Sequence, residues 1–234
     1  MRSRVAIVAA LPREIAPLVN GWLADEGTPP HGVLVSWTEA AIVVCAGMGR
    51  PRARLAAELA LKRGPVHRLI SAGWCGALRE GQAAGSVHRL GRVMDAATSR
   101  TFDTDEAGGL LVTSERIADR ATKARLARDF AADLVDMEAS AVAEVAQIKG
   151  IPFAVVKAVS DEYDFELPGM ERFVTVHGGF REGAFAAHLM LRPALWPQTL
   201  RMARASSLAA KNLCEELQQI VEEETERYTA PAAL

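Results

Sequence analysis

A chain of 234 residues, 50% hydrophobic and 24% charged, has the length and composition of one globular α/β domain over 1–234, not of a disordered polymer. Its 27 Lys and Arg against 29 Asp and Glu leave a formal charge of -2, which gives no electrostatic footprint for a nucleic acid. No run approaches the ~20 apolar residues of a membrane span. Cys45, Cys75 and Cys214 show neither disulfide nor zinc spacing and suit a reducing cytosol.

In chain order, residues 5–11 form a continuous apolar run, the pattern of a strand covered on both faces. Pro12-Arg13-Glu14 interrupts it too early for a secretory leader. Pro12 suits the first position of a helix, where its missing N–H costs nothing. Residues 33–37 and 40–45 read as two strands around a tight turn. Gly47-Met48-Gly49 then leads into a helix over 51–62. Its apolar side is Leu55, Ala56 and Leu59, and Arg50, Arg52, Arg54, Lys62 and Arg63 read as its solvated face. Residues 68–72 form a buried strand ending in the turn Gly73-Trp74-Cys75-Gly76. Residues 86–94 read as a strand bent at Gly91, and the polar stretch 95–109 as a mobile loop.

A short strand follows at 110–113, a helix at 119–130, a strand at 134–137 and a helix at 139–149 whose apolar face is Val142, Val145 and Ala146. The strongest strand pattern is 153–159, entered through Gly150-Ile151-Pro152. Beyond it lies an irregular stretch with a helix near 180–191, then a long helix from 193 to about 228. Leu213, Leu217, Ile220 and Val221 repeat at helical spacing, with Glu215, Glu216 and Glu222–Glu224 assigned to water. Strand–helix alternation implies a mixed or largely parallel sheet.

Three acids follow three buried strands: Glu14, Glu138 and Asp161. In open α/β sheets ligands bind beyond the carboxyl ends of the strands, so parallel strands would let the acids converge. Each also has a bland reading. Glu14 and Glu138 sit where a helix dipole favours an acid, and Ser160-Asp161 could form a cap or Asx-turn. Together they suit cleavage of a ribose–purine bond: one acid protonates N7 of the base, a second holds the ribose hydroxyls, a third deprotonates water. Apolar walls such as Met137, Ile117 and Met48 would exclude water and raise an acid's pKa.

Val135-Asp136-Met137-Glu138-Ala139-Ser140-Ala141 followed by Val156-Lys157-Ala158-Val159-Ser160-Asp161 resembles the nucleoside phosphorylase and nucleosidase family, in its methylthioadenosine/S-adenosylhomocysteine nucleosidase branch. Residues 5–14, Gly47-Met48-Gly49 and Ser71-Ala72-Gly73-Trp74-Cys75-Gly76 extend the likeness over about 4–162. The resemblance implies a three-layer α/β/α sandwich around a mixed sheet, a homo-oligomer such as a dimer, and a cytoplasmic enzyme for a small-molecule nucleoside. It implies Asp161 as general acid at N7, Glu138 on the ribose hydroxyls and Glu14 on the attacking water. Met137 would pack on the ribose and Ile117 near the base, with Met48, Gly73, Trp74, Lys157 and Ser160 completing the binding set.

Lys157 stands where nucleosidases usually carry Arg, and Trp74 where a small residue is usual; Trp74 would narrow the pocket or give it a stacking wall. The Gly-Asp-Pro-x-Arg phosphate loop of many phosphorylases is absent. That favours water, though Arg13, Arg50 or Arg52 could bind phosphate as co-substrate if the chain is a phosphorylase. A nucleoside-binding protein without catalysis is the other alternative. The apolar stretch Leu167-Pro168-Gly169-Met170 through Pro197 reads as an ordinary packed helix, or as the surround of a nucleoside's 5′ substituent. With the long last helix it is similar to hopanoid-associated phosphorylases, which implies a 5′-modified adenosine, a lipid-linked one included. No cofactor or metal is implied: His31, His67, His88, His177 and His188 lack ligand spacing and read as surface or loop residues.

Overall fold

The computed structural model describes residues 3–25, 30, 32–166, 169–175 and 178–229. Leu167, Pro168, His31 and His177 lie outside them. The first half contains β1 (Arg4–Ala9), α1 (Pro12–Ile15), β2 (Leu23–Ala24), β3 (Leu34–Trp37), β4 (Ala41–Cys45), α2 (Arg50–Lys62), β5 (Val66–Ala77), β6 (Val87–Arg89), β7 (Arg92–Asp95) and β8 (Thr101–Asp103). The second half contains β9 (Leu110–Thr113), α3 (Arg120–Phe130), β10 (Leu134–Asp136), α4 (Ala139–Lys149), β11 (Phe153–Asp161), α5 (Glu182–Met190) and α6 (Trp196–Thr229).

The strands form one mixed sheet in the order β2-β3-β4-β1-β5-β10-β9-β7-β8, with β11 between β5 and β6. Alternate side chains of each central strand enter opposite layers. On one face Ala6, Val8, Ile42, Val44, Phe153 and Val155 pack with Ala53, Ala56, Ala57 and Ala60 of α2 and with Val142 and Val145 of α4. On the other, Val5, Ile7, Val43, Ala154 and Val156 pack with Ile15 of α1 and Leu213, Leu217 and Ile220 of α6. This is a three-layer α/β/α sandwich.

The expected turn at 73–76 is instead the second half of β5. It stays in the sheet because β11 pairs with it in parallel from Leu69 to Gly76, with a register shift near Asp161. β10 runs antiparallel to this extension, Leu134 opposite Ala77 and Val135 opposite Gly76. A wholly parallel placement of the three acid-bearing strands is therefore incorrect. The acids converge because β5 reaches past its parallel partner β1 and β10 runs back along it. The stretch 95–109 is no simple loop: Thr101–Asp103 forms β8 on β7. Residues 86–94 divide into β6 and β7 around Gly91, which has no room for a Cβ against the backbone of Gly108.

The arginines of α2 are not a free solvated face. Arg50 pairs with Asp95 at 2.8 Å, Arg54 with Glu144, and Arg63 with Asp25. Glu224, assigned to water, is buried and accepts from Arg68 and His67 at 3.2 Å each. His67 and His88 thus sit in strands β5 and β6, not in loops. All three cysteines are free and buried, and burial pushes the Cys75 thiol up.

Candidate active site

The extension of β5 is the floor on which the acids meet. Glu14 lies in the single turn of α1, where its Oε2 accepts from the backbone N–H groups of Ala10 (3.1 Å) and Leu11 (3.0 Å). The bland helix-start role is thus realised, and the same carboxylate also reaches β5. A Cβ built on Gly73 (φ +135°) would lie 3.0 Å from Glu14 Oε2, so only glycine leaves it room. Burial raises the Glu14 pKa, offset in part by backbone N–H groups of Leu11, Trp74 and Ala10 and by the Lys157 charge.

Glu138 stands at the N-terminus of α4 without capping it. Asp136 performs that task, its Oδ2 accepting from Ala139 N at 2.9 Å. Glu138 is left to turn toward the glycine turn: its Oε1 accepts from Gly49 N at 2.7 Å and its Oε2 from Met137 N at 3.2 Å. Burial and the neighbouring Asp136 raise its pKa to about 7, against the pull of Lys157. Lys157 reaches Asp136 Oδ2 at 2.9 Å, with both side chains out of water. Burial alone would lower the Lys157 pKa, but Asp136 and Glu138 outweigh it and hold it above its ordinary value.

Asp161 is not a cap. Ser160 Oγ donates to its Oδ1 at 2.7 Å, and the Lys123 ammonium donates to its Oδ2 and, at 2.7 Å, to Glu162 O. Lys123 comes from α3 and is buried. A Cβ on Gly76 would lie 2.9 Å from Asp161 Oδ2 and 3.2 Å from Lys123 Cε. Gly76 is therefore the slot that lets the pair cross β5. Sequence reasoning missed Lys123, although it lies three residues before Leu126 on the buried side of α3.

The structure brings Glu14, Glu138, Asp161, Gly73, Ser160 and Lys157 to this floor. Met137 and Met48 are partly buried beside it, and Met48 N donates to Gly178 O at 2.7 Å. Ile117 is partly buried in the segment between β9 and α3. The Arg13 guanidinium lies 5.1 Å over the Trp74 ring and 5.3 Å over that of Phe180, so one face of Trp74 is stacked on it. Two cavities flank Gly47-Met48-Gly49. One, of about 510 Å³, is lined by Ala10, Leu11, Arg13, Gly47 and Phe180 among others; the second, of about 500 Å³, by Gly49, Arg50, Arg54, Glu115 and Ala141. None of Glu14, Glu138 and Asp161 lines either of them. Phe173, Phe180 and Phe185 pack edge-on at 5.2–6.3 Å beside the first cavity. Among the described residues no group of His, Cys, Asp and Glu could hold a metal ion.

The family model described as Phosphorylase superfamily matches residues 4–119 and 87–195. Over 45 residues, 19% of this chain, the sequence is 42% identical to 5'-methylthioadenosine/S-adenosylhomocysteine nucleosidase of Treponema pallidum (strain Nichols), a match spanning 17% of that curated relative. The fold is similar to that of the Helicobacter pylori nucleosidase of the same name solved with butyl-thio-DADMe-Immucillin-A (TM-score 0.71, 15% identity, 95% of this chain and 99% of that one). It is also similar to Helicobacter pylori futalosine hydrolase (0.70, 16%, 94% and 98%) and to Arabidopsis thaliana 5'-methylthioadenosine nucleosidase (0.71, 20%, 95% and 96%).

Proposed function

The chain belongs to the phosphorylase superfamily, and from that premise we propose that it hydrolyses the N-glycosidic bond of a purine nucleoside, a 5′-modified adenosine. The observation that carries this reading is the placement of Glu14 against Gly73 and of Asp161 against Gly76 of β5, with Glu138 held by the Gly49 N–H and within the electrostatic reach of Glu14 and Lys157. Asp161 gives a proton to purine N7, so the C1′–N9 bond breaks and the base leaves neutral. Glu138 accepts hydrogen bonds from the ribose 2′- and 3′-hydroxyls, which strengthen as positive charge grows on the sugar. Glu14 takes a proton from the water that adds to C1′, and burial, by raising its pKa, makes it a stronger base than an exposed carboxylate. Ser160 and Lys123 are positioning residues that orient Asp161.

Water is favoured over phosphate because the candidate cations are already engaged. Arg13 pairs with Glu182 at 3.2 Å, Arg50 with Asp95, and Arg52 donates to Ala46 O. A phosphate dianion would also sit against the buried Glu14. The apolar wall of Phe180 and its neighbours suits a hydrophobic 5′ substituent, including a lipid-linked one. We place the protein in a reducing cytosol as a homodimer.

The test is base release from methylthioadenosine, adenosine, inosine and a long-chain 5′-alkyl adenosine, each with and without phosphate. Phosphate-independent adenine release is expected, strongest on the 5′-modified substrates. Release only with phosphate would replace hydrolysis by phosphorolysis, and strong turnover of inosine alone would refute the 5′-modified substrate. Asp161→Asn should lose roughly 10²–10⁴-fold in turnover while retaining binding. Full turnover in that variant would sink the general-acid assignment.

A further inference from the structure

The corner between α5 and α6 is built unlike the rest of the surface. α5 contains no buried residue, and within the corner Met190, Leu191, Trp196 and Leu200 are 70%, 85%, 51% and 58% exposed. Trp196 is held in place, its Nε1 donating to Leu189 O at 2.8 Å. Trp196, Leu200 and Arg204 follow one another at i, i+4 spacing and so share one stripe of α6. The apolar residues that α6 buries begin further along, at Ala209.

The charge is as uneven as the hydrophobicity. Residues 183–214 hold Arg192, Arg201, Arg204 and Lys211 and no Asp or Glu, whereas 215–226 hold six glutamates. Arg201 pairs with Glu162, while Arg192 and Arg204 have no carboxylate partner among the described residues. Exposed apolar residues with Arg192 and Arg204 close by in the chain, in a protein of net charge -2, are the composition of an interfacial anchor. A second copy of the chain is a poor occupant. A two-fold contact uses the same patch twice and would set the unpaired Arg192 and Arg204 against their own copies.

We propose that the α5–α6 corner docks on an anionic lipid surface, with Met190, Leu191, Trp196 and Leu200 entering the headgroup boundary and Arg192 and Arg204 meeting the lipid charges. α5 is nine residues long, so about 13 Å separates the corner from the Phe180–Glu182 wall of the larger cavity. Docking therefore brings that cavity to the surface from which a lipid-linked nucleoside would be drawn, a consequence that rests on the proposed chemistry. The docking itself does not.

The experiment is sedimentation of the full chain with phosphatidylcholine vesicles, with and without phosphatidylglycerol, at low and high salt. Turnover of a nucleoside with a small 5′ group is measured in parallel as the readout of the catalytic proposal. Expected is partition onto the anionic vesicles, weakened by salt and weak on neutral vesicles. Leu191→Glu with Leu200→Glu should lower partition at least ~tenfold, and Arg192→Glu with Arg204→Glu by more than ~fivefold per residue, all with unchanged turnover. Absence of partition, partition indifferent to both variant pairs, or variants that instead dissociate an oligomer in light scattering would each overturn the proposal. Partition without any nucleoside turnover would leave docking standing and remove the catalytic reading.

Discussion

Replacing Lys157 by Met removes the one cation of the buried Asp136–Lys157 pair and should act on stability and on activity through different groups. Breaking a buried pair from one side costs about 3–5 kcal/mol, because the remaining charge loses its partner. Asp136 keeps hydrogen bonds from Thr113 Oγ1 (2.8 Å) and Ala139 N (2.9 Å), so the lower end, about 3 kcal/mol, applies. In a domain of this size that lowers the melting temperature by roughly 6–12 °C. Lys157 also holds the Glu138 pKa down, so its loss should carry that pKa above about 7 and shift the acid limb of the pH–rate profile upward. Removing the orphaned charge as well, with Asp136→Asn, should restore most of the stability, since a buried pair replaced on both sides is close to neutral. Thermal unfolding of the four proteins of this cycle, with pH–rate profiles of the active ones, is the assay. A melting point within ~2 °C of wild type in the single variant, or a double variant no more stable than the sum of the singles, would refute the reasoning.

Glu138 makes a second prediction about pH. Its folded-state pKa of about 7 lies above the ordinary 4.5, so the folded form holds its proton longer than the unfolded one. The stability it contributes is full below pH 4.5 and is lost as pH rises through about 7. Glu138→Gln should therefore gain stability over wild type at pH 8 but not at pH 5, read by urea unfolding at both; equal differences would contradict the buried-acid account. Gly76→Ala should push Asp161 and Lys123 apart, lower kcat ~10–100-fold and lower the melting temperature as well, because the buried Lys123 loses its partner. Lys123→Met should lower kcat while leaving KM near wild type; a fall in binding alone would make Lys123 a substrate contact instead.

The strands and the three acids were legible because apolar runs ending in a carboxylate survive in any single sequence. The direction of β10 was not, since alternation of strands and helices implies parallel pairing and nothing local marks the reversal. Gly73 and Gly76 looked like a turn because glycine in a strand is justified only by what approaches it, here Glu14 and Asp161 from distant elements. Lys123 stayed hidden for the same reason: its partner is 38 positions away. Glu224 could have been placed, as it follows Leu217, Ile220 and Val221 on the buried stripe, but its position in a run of glutamates argued for water.

Gly73 and Gly76 also fix an interval. Three steps along β5 span about 10 Å, and one glycine lies beneath Glu14 and the other beneath Asp161. The water side and the base side of the site are thereby spaced by covalent chain, whatever happens in the loops. Lengthening or shortening the connections between strands would leave that spacing unaltered. A single residue inserted between the two glycines would turn every later side chain of the strand to the other face and bring a Cβ under a carboxylate.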